Sequence, residues 1–108
     1  MPEDRLAWSR ADGAAAEQLW ETLNDSAKAL FSELMTEPGR KFSGDELSRL
    51  LDLPKGKSSV AGVLGTAGKR CYQLGRALVW CWGYPGGKTA HYWMTEEVAA
   101  LFKRTSAR

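Results

Sequence analysis

The chain is 108 residues long, 44% hydrophobic and 26% charged, with a formal net charge of +2; this is enough for one ordinary core and excludes a second of comparable size. No stretch approaches the roughly 20 apolar residues of a membrane-spanning helix. The opening MPEDRLAW has acids where an export signal has a basic region and an apolar run, so the reading is a cytoplasmic protein with no membrane partner.

Residues 1–13 mix charge with Pro2 and Gly13 and carry no period, which predicts a loose arm with Leu6 and Trp8 as its only anchors. The remainder, 14–108, is expected to be one domain. AAAEQLWETLND predicts a short amphipathic helix with Leu19, Trp20 and Leu23 on one face. Asn24, Asp25 and Ser26 offer caps to a second helix, in which Ala27, Leu30, Phe31, Leu34 and Met35 recur at helical spacing. Pro38 and Gly39 end it.

Ser43-Gly44-Asp45-Glu46 fits a capping box, in which the Ser43 hydroxyl and the Glu46 carboxylate accept from each other's amides, and Phe42 and Leu47 suit a hydrophobic staple. The helix so opened is about two turns long and stops near Leu53-Pro54. After Pro54-Lys55-Gly56-Lys57, Ser58 or Ser59 caps a helix over 58–74 that buries Val60, Val63, Leu64, Ala67, Cys71 and Leu74. Gly62, Gly65 and Gly68 each cost about 1 kcal/mol against alanine there, which predicts a weak point near Gly65. LVWCWGY and TAHYWMT are β-rich and flank Pro85-Gly86-Gly87-Lys88, the pattern of a hairpin. Thr95 then caps EEVAALFKR, whose acids and bases oppose the helix dipole and whose Val98, Leu101 and Phe102 turn inward.

This order of elements predicts a mostly α, α+β fold: a winged helix-turn-helix, with a three-helix core, a β-hairpin wing and extra N-terminal and C-terminal helices. The helix-turn-helix covers 43–75, the wing 78–94 and the last helix 95–104. Charge agrees with that order. Residues 1–37 hold eight acids and three bases, and residues 38–108 five acids and twelve bases. No Asp or Glu occurs between Asp52 and Glu96, the span of the two parts that touch DNA in such a fold.

The expected function is therefore double-stranded DNA binding, as a transcription regulator or nucleoid-associated factor, through helix 58–74 and wing 79–94 and with no cofactor. The second helix of the pair presents Ser59, Gly62, Thr66, Lys69, Arg70 and Gln73 to base edges. Lys55 and Lys57 meet phosphates, as does the helix start at Ser58 and Ser59. Arg76 adds to the basic surface, while Lys88 and His91 in the wing reach the backbone or the adjacent minor groove. Catalysis is not expected: His91 is the only histidine, the acids cluster towards both ends, and no nucleophile-elbow, phosphate-loop or metal-ligand pattern occurs. Cys71 and Cys81 lack metal or redox spacing and read as buried thiols, although spacing leaves a disulfide open.

Trp80, Trp82 and Tyr84 share one face of the first hairpin strand, while Val79 and Cys81 occupy the other. Two apolar faces need two covers. The spare face is left to the N-terminal helix bearing Trp20, to a second chain, or to stacked bases of single-stranded nucleic acid. This supports an alternative function, a protein-interaction module acting as a homodimer or adaptor through Trp20, Trp80, Trp82 and Tyr84.

The runs PGRKFSGDELSRLLDLP, VAGVLGTAGKRC, LGRALVWCWGYPGG and YWMTEEVAALFKR, within residues 26–104, resemble a family of small actinobacterial proteins of no established function that are winged-helix-like. The resemblance implies the fold and leaves the activity open. Leu78-Val79-Trp80 departs from it, since the family pattern has Leu-Pro-Trp there.

Overall fold

A computed structural model describes residues 7–107. These form a mixed, mostly helical α+β fold: α1 (Gly13–Thr22), α2 (Asp25–Thr36), β1 (Phe42–Ser43), α3 (Gly44–Leu50), α4 (Lys57–Gln73), β2 (Cys81–Gly83), β3 (His91–Trp93) and α5 (Glu96–Ser106). Three of the helix starts follow the sequence chemistry. Asn24, Ser43 and Thr95 each accept from the amide three residues on, at 2.9, 3.0 and 3.3 Å, satisfying donors that a first turn leaves orphaned.

Two expectations fail at this level. The Glu46 carboxylate does not return to Ser43 but pairs with Arg40, which also holds Glu37 at 2.8 Å. Neither Ser58 nor Ser59 caps α4; the cap is Gly56, at φ +58°, and the Ser59 hydroxyl instead accepts from the Lys55 amide at 3.0 Å. A left-handed residue lets the chain reverse between α3 and α4 with no side chain in the way.

The sheet is antiparallel in the order β1-β3-β2, with Phe42 opposite Tyr92 and Trp82 opposite Tyr92 from the other side. The hairpin strands are shorter than the sequence predicts, and β1 is an addition to them. Gly39 donates to the Met94 carbonyl at 2.8 Å, tying the end of α2 to the exit from β3. Gly44 lets α3 begin against α4: a Cβ built there lies 2.8 Å from the Cβ of Lys57.

The core runs through Leu30, Phe31 and Leu34 of α2, Phe42, Leu47, Val60, Leu64, Val79 and Met94, and Leu101 and Phe102 of α5. Trp80 joins it with its ring tilted against Phe31, ring centroids 5.7 Å apart. The described part of the N-terminal arm is not loose. Trp8 is buried, stands 5.4 Å from Phe102 and donates its indole N–H to the Ala77 carbonyl at 2.7 Å. Leu6, the other expected anchor, lies outside the described residues. Cys71 is buried and Cys81 half-buried, and both are free thiols; burial pushes Cys71 up to about 11 and raises Cys81.

Candidate nucleic-acid interface

Helix α4 is continuous from Lys57 to Gln73 despite its glycines. Its inward stripe is Val60, Leu64, Ala67, Gly68 and Cys71, so the opposite side is left to small and polar residues, among them Ser58, Ala61, Gly62, Gly65, Thr66 and Lys69, all exposed. Gly68 sits under the chain entering β2, where an added Cβ would lie 3.3 Å from Leu78. Nothing lies within 4 Å of a Cβ at Gly62 or Gly65. Those two glycines weaken the helix without serving contacts among the described residues.

Between α4 and the β2–β3 hairpin runs a groove of about 420 Å³. Ala61, Gly65, Lys69 and Tyr72 line it from α4, and Trp80, Trp82, Tyr84 and Tyr92 from the hairpin side. Trp80 is buried at the base, whereas Trp82 and Tyr84 remain 55% and 56% exposed, with ring centroids 6.0 Å apart in an edge-to-face pair. Beside it lies a second groove of about 300 Å³, which shares Ala61, Tyr84, Ala90 and Tyr92 and adds Lys57, Ser58 and Lys88. The two form one channel, aromatic at one end and cationic at the other. No acid lines either part. Burial, and secondarily the neighbouring Tyr84, raise the Tyr92 hydroxyl.

The residues singled out from sequence divide into four groups. Lys57, Ser58, Lys69 and Lys88 line this channel, with Trp80, Trp82 and Tyr84. Lys55 and Gly62 lie exposed beside it, while Ser59 is half-buried by its bond to the Lys55 amide.

Thr66, Arg70 and Gln73 turn the other way, towards depressions lined by Gln18, Glu21 and Thr22 of α1. There the Arg70 guanidinium donates to the Gln73 side-chain carbonyl at 3.3 Å, so the two expected base-readers engage each other.

Three expectations are corrected. Arg76 pairs with Asp12 at 3.0 Å and lies over the Trp8 ring, 5.5 Å from its centroid; it belongs to the anchor of the N-terminal arm. His91 is half-buried with Nδ1 2.9 Å from the Thr89 carbonyl, and the pleat puts it on the opposite face of β3 from Tyr92. Trp20 does not cover the aromatic face, because it packs on Phe102 at 6.5 Å with Lys28 above it.

Sequence reasoning missed Tyr72, Ala90 and Tyr92. Tyr72 follows Ala61 and Gly65 at helical spacing, which was the available signal. Among the described residues, no group of three His, Cys, Asp or Glu is placed to hold a metal ion.

Among known proteins, the model of a family of unknown function, DUF6416, matches residues 13–108. No curated protein and no solved structure matches the chain.

Proposed function

The chain belongs to DUF6416, and we propose from its geometry that it is a winged-helix DNA-binding protein, a regulator or nucleoid-associated factor. What carries the reading is one observation: the outward side of α4 and the β2–β3 hairpin share an open channel with Lys57, Lys69 and Lys88 on it and no acid in its lining. The order α2, β1, α3, α4, β2, β3, with β1 returning to pair β3, supports it. In that reading α3 and α4 are the helix-turn-helix and the hairpin is the wing.

On a duplex, α4 enters the major groove with its Ser58, Gly62 and Lys69 side, where glycine admits the backbone close to the bases. Lys55, Lys57 and Lys88 take phosphates, and the first amides of α4 add to the same positive field. Arg70 and Gln73 contribute at the rim by exchanging their mutual bond for contacts to DNA.

The test is anisotropy titration of a labelled random-sequence duplex at about 50 and 200 mM salt, where phosphate contacts lose most affinity. Lys57→Ala and Lys88→Ala are each expected to weaken binding on all sequences and to reduce the salt slope by about 1. No binding at the lower salt sinks the proposal. The exposure of Trp82 and Tyr84 favours one other reading, a protein-docking module, in which Trp82→Ala abolishes association measured by sedimentation without DNA.

A further inference from the structure

We propose that the channel between α4 and the hairpin receives an unpaired base of a DNA strand, stacked on Trp82 with Tyr84 against its edge, and with its phosphate held by Lys57 and Lys88. This rests on the DNA-binding reading and extends it: the protein then prefers duplexes that carry a single-stranded gap.

The argument begins with what the groove offers. Trp82 and Tyr84 are more than half exposed, whereas Val79, Trp80 and Met94 beside them are buried, and no element among the described residues covers the two rings. A base pair in an intact duplex shows a protein only its edge, whereas an unstacked base offers a planar face that an aromatic ring can take. The groove, at about 420 Å³, falls within the range of about 300–1,000 Å³ for small-molecule sites.

Charge selects among occupants. The aromatic end runs directly into the part lined by Lys57, Ser58 and Lys88, which suits a ligand that is planar at one end and anionic at the other. A purely apolar partner leaves those two ammonium groups without counter-charge. Gly65 deepens the groove, since the space in front of it is empty.

The experiment uses the full chain and compares, at about 50 mM salt, a labelled intact duplex with the same duplex containing a short single-stranded gap. The gapped duplex is expected to bind at least about fivefold tighter, the least that one stacked base contributes. Trp82→Ala should bring the gapped-to-intact ratio close to one. Gly65→Leu should do the same by filling the groove, and it tests the site without removing an aromatic, because leucine favours helix and has open space there.

Equal affinity for both duplexes overturns the inference and leaves the DNA-binding reading standing; binding to neither overturns both. A preference for gapped DNA that survives both substitutions overturns the site. Tighter binding to single-stranded RNA than to DNA of the same sequence overturns the choice of strand. A Trp82→Ala effect seen only on self-association assigns the groove to a second copy and overturns the proposal.

Discussion

Asp12 links the N-terminal arm to the body of the protein through a carboxylate that accepts from the Ser9 amide at 2.7 Å and the Ser9 hydroxyl at 3.2 Å and pairs with Arg76. The Ser9 amide is the largest cause of its lowered pKa; Arg76 adds to it, and together they outweigh burial, which acts the other way. Because the folded value is below the unfolded one, its stabilising effect is complete at neutral pH and is lost as pH falls from the usual carboxylate range through the folded value. Asp12→Asn is therefore expected to lower the urea midpoint at neutral pH and to differ progressively less from the parent in acid. A difference of constant size across pH would mean that the carboxylate charge is not what matters. This pair also explains why Arg76 was unreadable as a structural residue: its partner is 64 positions away, and only the fold brings them together. The lysines of the channel were legible because an acid-free stretch is a one-dimensional property. Which of them share a face was not.

At the level of elements, local chemistry carried the assignment at three of the helix starts. Asn24, Ser43 and Thr95 open their helices as expected, and the Pro-Gly-Gly loop joins β2 to β3. Strand β1 escaped because Phe42 and Ser43 are too few to show alternation, and both were already spent on a staple and a cap. The direction of Arg70 and Gln73 escaped because it depends on how α4 is rotated against α1, a packing property that helical spacing alone leaves open by a fraction of a turn.

The glycines of α3 and α4 give a matched prediction. Gly44→Ala forces a Cβ against Lys57 and is expected to destabilise by about 1–3 kcal/mol. Gly62→Ala meets nothing and is expected to stabilise by about 1 kcal/mol. Urea unfolding of the two variants reads both signs, and a loss of stability in Gly62→Ala would show that the backbone there needs glycine for a reason inside the fold.

Across the described residues, Trp8 ties distant parts together, touching the segment before β2 through Ala77, α5 through Phe102 and the turn after α4 through Arg76. Arg104 reinforces it by donating to the Arg10 carbonyl at 3.2 Å. Trp8→Ala is expected to cost about 3–5 kcal/mol, a large part of the 5–15 kcal/mol that typically holds a domain together. Thermal unfolding measures it, and a shift of only a degree or two would show that the arm is dispensable. The pairing of β1 with β3 acts over a similar reach, joining Phe42 to Tyr92. Closing so long a loop carries an entropic cost that rises only with the logarithm of its length, about 0.6 kcal/mol per doubling. The turn between α3 and α4 and the loop of the hairpin both lie inside it, so either can lengthen cheaply while the two-residue ladder keeps its register. The same closure delays the β1–β3 ladder: Phe42 and Tyr92 lie far apart along the chain, and their pairing is rewarded only after the helices between them have condensed.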